Sequence, residues 1–113
     1  MTKHRPRVLA FLGQKGGCGK TTLAIHLAVA AQQSGEQVVL IDTDPQMSAL
    51  HWYGARKHKD SERPVVVRGL IHELEAVIEA AHRDGMTLAV IDTPPHAVPA
   101  AAQAMAQADY ILM

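Results

Sequence analysis

Between Gly13 and Thr22 the chain reads G-Q-K-G-G-C-G-K-T-T, directly after an apolar run from Val8 to Leu12. Gly16, Gly17 and Gly19 lack the Cβ atoms that keep a backbone away from a ligand, so consecutive N–H groups can turn inward around an anion. Lys20 adds a cation at the mouth of the following helix, whose N-terminal dipole also favours negative charge. Thr21 supplies a hydroxyl where a phosphate-bound Mg²⁺ would sit. The chemistry that such a stretch serves is the cradling of phosphate. A glycine-rich turn without a ligand would need neither Lys15 and Lys20 nor the hydroxyl pair Thr21 and Thr22. Two further groups carry carboxylates at the ends of apolar runs: D-T-D-P-Q from Asp42, and Asp92 within I-D-T-P-P. Asp42 and Asp44 point alternately if the strand continues, so they are not expected to share one role.

The elements that must hold these groups follow from the spacing of apolar residues. Residues Met1 to Pro6 read as a frayed basic lead-in. Arg7 to Leu12 is too apolar for a half-exposed strand and too short for a helix, which predicts a central parallel strand covered on both faces. Lys20 to Ser34 predicts a helix buried nearly all round and ended by Gly35, with His26 partly buried. Gln37 to Ile41 is the second strand, and D-T-D-P-Q stands at its C-terminal end, where open α/β sheets hold ligands. Met47 to Gly54 reads as a short helix bearing Trp52 and Tyr53, which serve either packing or a partner surface. Arg56 to Arg63 interleaves opposite charges as a solvated loop does, and makes only a weak nucleic-acid candidate.

Pro64 to Val67 reads as a short strand. Leu70 to Arg83 places Leu70, Ile71, Leu74, Val77, Ile78 and Ala81 on one face and His72, Glu73, Glu75, Glu79 and Arg83 on the other, an amphipathic helix stopped at Gly85. Thr87 to Ile91 ends in Asp92, the strand-then-aspartate pattern of a Walker B element. Thr93 to Pro99 reads as a proline-stiffened loop, Ala100 to Ala108 as an alanine-rich helix, and Tyr110 to Met113 as the opening of another buried strand. The repeated β-loop-α-β order predicts an α/β fold, a mostly parallel sheet with helices on both faces.

Composition narrows the function classes. At 113 residues the chain is one domain at most, short for a complete nucleotide-hydrolysing α/β domain. Lys+Arg and Asp+Glu are both 11, so no bulk positive field points to nucleic acid. Cys18 is the single cysteine, which excludes an internal disulfide and cannot by itself hold a metal cluster; it reads as a small loop residue. No apolar run reaches membrane-spanning length and no apolar signal segment precedes the glycine loop, so the expected compartment is the cytoplasm.

The general P-loop pattern G-x-x-x-x-G-K-[ST] would need glycine where this chain has Gln14, and a second lysine, Lys15, stands inside the loop. K-G-G-x-G-K-T-T is the deviant form that marks the ParA/MinD group of ATPases. With D-T-D-P-Q and I-D-T-P-P following in that order, the chain resembles this group over nearly all of Arg7 to Met113, most of all the small ParA proteins that partition plasmids. The resemblance implies a three-layer α/β/α P-loop ATPase fold, with residues 1–113 as the N-terminal part of one domain, incomplete at its C-terminal end. It also implies Mg²⁺ and ATP as cofactors, dimerisation on ATP, weak hydrolysis, and positioning of DNA or another cargo with a ParB-like partner. Non-specific DNA binding is an expectation for a full-length protein, and no membrane contact is expected.

By the same resemblance, the cradle is Gly16, Gly17, Cys18 and Gly19, with Lys20 neutralising β- and γ-phosphate charge and Thr22 reaching the α-phosphate. Thr21 binds Mg²⁺, Asp42 and Asp92 hold it through water, and Asp44 orients the attacking water. Lys15 crosses the dimer interface to the partner's phosphates, a catalytic role like that of an arginine finger. A MinD-like positioning ATPase shares the loop, but D-P-Q after the second strand points towards ParA. A nitrogenase-reductase-like protein would need more cysteines than Cys18, and a small-molecule kinase would not need Lys15. The remaining alternative is a nucleotide-binding or regulatory module without turnover.

Overall fold

Among the described residues, five short apolar runs make the sheet. The computed structural model describes residues 5–12, 18–43, 65–69, 71–93 and 98–112, with the backbone course alone at 18–21, 71 and 98–101. Its strands are β1 (Arg7–Phe11), β2 (Val38–Asp42), β3 (Val65–Arg68), β4 (Leu88–Asp92) and β5 (Tyr110–Leu112). The helices are α1 (Cys18–Gln33), α2 (Leu74–Arg83), entered through a 3-10 turn at Ile71–Glu73, and α3 (Val98–Gln107). Every pairing is parallel and the order is β3-β2-β4-β1-β5.

From β1 to β2 the chain steps past β4 in one direction, whereas β3 to β4 and β4 to β5 step the other way. Right-handed crossovers then require α1 on one face and α2 and α3 on the other. The two cores have that arrangement. Ala24, Ile25 and Ala28 of α1 pack on Phe11, Leu40 and Val90; Leu74 and Ile78 of α2 and Ala104 of α3 pack on Ala10, Ile41 and Ile91. The three-layer α/β/α expectation holds because β2 and β4 are apolar at consecutive positions, so that each feeds both cores. Both α1 and α2 end on glycines with positive φ, Gly35 at 105° and Gly85 at 82°. There Glu36 N–H returns to Ala31 O at 3.1 Å and Met86 N–H to Ala81 O at 3.0 Å, the bond that closes a helix over its orphan carbonyls.

Several expectations change. Helix α1 opens at Cys18 and not Lys20, so Cys18 and Gly19 belong to its first turn. It is not buried all round: Leu23 is 57% exposed and His26 is exposed, because an outer-layer helix presents one face to the sheet whatever its composition. Pro6 is buried, so the chain is packed from that residue. Helix α3 takes in Val98 and Pro99, a proline tolerated in a first turn whose N–H groups have no helical acceptor. Strand β5 lies beside β1 but is exposed at all three residues, not buried, since it forms the border of the described sheet. The stretches read as a helix from Met47 to Gly54 and a charged loop from Arg56 to Arg63 lie outside the described residues.

Candidate functional site

Asp42 and Asp92 are the last residues of β2 and β4, and the register sets them side by side, with Phe11 on the far flank of Asp92. Both are 0% exposed. The alternation that sends Val38, Leu40 and Val90 into the α1-side core carries both aspartates onto that face. Neighbouring strands stand about 4.8 Å apart, so the two residues are adjacent rungs of one edge. The chain leaves β1 towards α1 on one face and leaves β4 towards α3 on the other. The crevice between these neighbours is therefore the topological switch point, where open α/β sheets bind ligands outside the carboxyl ends of their strands.

A row of hydrogen bonds finishes this edge. Gly69 N–H donates to Asp42 O at 3.1 Å, and Leu12 N–H to Leu112 O at 2.8 Å. Between them, Thr43 donates twice to Asp92 O, from its N–H at 3.1 Å and its Oγ1 at 2.8 Å. Thr93 does the same to Phe11 O, from its N–H at 3.4 Å and its Oγ1 at 2.7 Å. Neither threonine stands out as a site residue from sequence alone. Their signal was present in the repeated I-D-T of residues 41–43 and 91–93, but its meaning depends on which strands are neighbours.

Of the cradle, Cys18, Gly19, Lys20 and Thr21 are placed by their backbone in the first turn of α1, which puts their N–H groups among the free donors of a helix start. Thr22 follows in the same helix with an exposed side chain. Lys15, Gly16, Gly17 and Asp44 lie outside the described residues. Asp42 and Asp92 are thus brought together on the face that α1 covers. Among the described residues no group of three or more His, Cys, Asp or Glu could hold a metal ion. Two carboxylates do not make a zinc site or an all-protein calcium cage, but they suit Mg²⁺, which takes one or two carboxylates and completes its shell with phosphate oxygens and water.

Residues 9–93 match the CobQ/CobB/MinD/ParA nucleotide binding domain. The chain is 42% identical over 107 residues to the "Maintenance of carboxysome distribution protein A" of Gloeobacter kilaueensis, a match covering 91% of this chain and 45% of that protein. It is 30% identical over 143 residues to the "Chromosome-partitioning ATPase Soj" of Thermus thermophilus, covering all of this chain and 56% of that protein. The chain therefore spans about half the length of the curated relatives it matches. Among solved structures, the kinase domain of the Escherichia coli tyrosine kinase ETK superposes with a TM-score of 0.70 at 21% identity, over 88% of this chain and 51% of that one. That likeness is one of fold. No helix among the described residues is long and apolar enough to cross a membrane.

Proposed function

The chain belongs to the CobQ/CobB/MinD/ParA nucleotide binding domain family, and from that premise we propose that it binds Mg·ATP at the carboxyl edge of its sheet as the core of a ParA-like positioning ATPase. The observation that carries this is the buried, in-register pair Asp42 and Asp92 on the face covered by a helix that opens with C-G-K-T-T. Backbone N–H groups of Gly16, Gly17, Cys18 and Gly19 hold the phosphate oxygens, and Lys20 offsets their charge. The Thr21 hydroxyl, with Asp42 and Asp92 acting through water, holds Mg²⁺, which when bound offsets charge on the β- and γ-phosphate oxygens. Asp44 orients the attacking water, Thr22 reaches the α-phosphate, and Lys15 acts on the phosphates of a second subunit across an ATP-dependent dimer.

The family's cargoes differ: one relative is named for chromosomes and another for carboxysomes. The cargo proposed here, DNA, follows the relative named for chromosome partitioning, and the ParB-like partner follows the ParA resemblance of the motifs; carboxysome positioning is the second reading, favoured by the 42% match. Calorimetric titration with ATP, with and without Mg²⁺, beside a single-turnover phosphate-release assay tests the site. Mg²⁺-dependent ATP binding with slow phosphate release is expected. Binding without any release would make the chain a nucleotide-binding module, and no binding would remove the proposal.

A further inference from the structure

The phosphate chemistry proposed above does not use Thr43 and Thr93, yet their hydroxyls add a second donor to two carbonyls of the carboxyl edge, at 2.8 Å and 2.7 Å. Each threonine grips one carbonyl with two donors, where an ordinary parallel ladder supplies only the N–H. The grips form a relay. Thr43, next to Asp42, holds the carbonyl of Asp92; Thr93, next to Asp92, holds the carbonyl of Phe11, two residues before the glycine loop opens at Gly13. Leu12 is held from the other side by Leu112 O. Both threonines are buried, at 8% and 2% exposure, so neither hydroxyl serves solvent.

The two grips are not equal. The Thr93 N–H is 3.4 Å from Phe11 O, a weak ladder bond, so the Oγ1 contact at 2.7 Å is the stronger of the two bonds by which Thr93 holds Phe11 O, at the root of the loop. At Thr43 the N–H is at 3.1 Å and shares the load with Oγ1 at 2.8 Å. We propose that Thr43 and Thr93 are positioning residues that lock the ends of β2, β4 and β1 at one height, so that the Asp42–Asp92 pair and the start of the phosphate loop keep a fixed separation. The proposal rests on the Mg·ATP reading for its consequence but not for its geometry. A cation held jointly by carboxylates on β2 and β4 and by phosphates on the β1 loop is sensitive to slippage between those strands, because its shell tolerates little distortion.

The test compares Thr93→Val, which keeps the shape and removes the donor, with Thr93→Ser, which keeps the donor, and with Thr43→Val. In the nucleotide-free protein, Thr93→Val is expected to speed amide hydrogen exchange at Leu12 and Thr93 about fivefold to tenfold, the loss of one net hydrogen bond, while Thr93→Ser exchanges as the parent does. In Mg²⁺ titrations at fixed ATP, Thr93→Val raises the half-saturating Mg²⁺ concentration by about tenfold, Thr43→Val raises it less, and Thr93→Ser leaves it unchanged. Affinity for ATP in EDTA stays at the parent value in all three. Parent-like exchange in Thr93→Val, or faster exchange with an unchanged Mg²⁺ requirement, overturns the positioning role. So does a loss of ATP and Mg²⁺ binding in Val and Ser variants alike that follows their melting temperatures. If the parent binds no Mg·ATP, the nucleotide reading fails by itself, and the exchange experiment still decides whether the threonines hold the three strand ends together.

Discussion

At the scale of single residues, Lys20 and Asp44 separate binding from turnover. Lys20 follows Gly19 in the opening turn of α1, where a cation adds to the free N–H groups of the helix start. We expect Lys20→Ala to weaken Mg·ATP binding by about a hundredfold, the order of a lost charge-assisted contact, with the melting temperature unchanged. An undiminished affinity by calorimetry would dismiss the cradle. Asp44 carries a carboxylate two residues beyond the buried Asp42, and in the proposed reaction it touches water and not phosphate. Asp44→Ala should leave affinity intact and slow phosphate release by about 10²–10⁴-fold. Parent-rate release would show that another group orients the water.

Among the elements, the end of β3 at Gly69 leaves no room for a side chain. A Cβ built on Gly69 would stand 2.5 Å from Ile41 Cγ2, inside the core between the sheet and Leu74. The Gly69 N–H also ties β3 to the carbonyl of Asp42. Gly69→Ala therefore forces either Ile41 or β3 to move, at a cost of about 1–3 kcal/mol. Thermal unfolding is expected to drop by at least about 4 °C, given the small enthalpy of a domain this size. A variant that melts with the parent would show that the strand end shifts freely. The same element scale explains how sheet and helices end where they do. Gly35 and Gly85 each stop a helix by entering the left-handed region, and the threonines after β2 and β4 carry the ladder one residue beyond the strands.

At the scale of the whole molecule, β5 carries three neighbouring exposed apolar residues at one border of the described sheet. Tyr110, Ile111 and Leu112 are 58%, 39% and 44% exposed, and β5 pairs with β1 alone among the described strands. An apolar strand with an open edge is a template for another chain. We expect the 113-residue chain to self-associate in sedimentation experiments and Ile111→Lys to reduce that association; equal association in the variant would move the contact elsewhere. Association through nucleotide is a separate matter. Lys15→Gln is expected to spare binding of Mg·ATP by one subunit and to lose the dimer formed with a non-hydrolysable ATP analogue. Persistence of that dimer would end the reading in which Lys15 acts on a partner's phosphates.

Residue types and local spacing by themselves determined that a glycine loop with two lysines follows an apolar strand, that aspartates close two further strands, and that glycines end the helices at 35 and 85. Those are short-range statements: each rests on φ preference, on apolar period or on the few residues around a motif. The tertiary structure alone decided that β4 lies between β1 and β2, which sets Asp92 beside both Asp42 and Phe11 and turns two separate I-D-T runs into one continuous edge. It also decided that α1 leaves Leu23 and His26 exposed and that β5 borders the described sheet, although α1 and β5 are as apolar in sequence as buried elements. Strand order and helix facing come from packing two apolar faces of a sheet against crossovers of fixed hand, a long-range competition that no local pattern records.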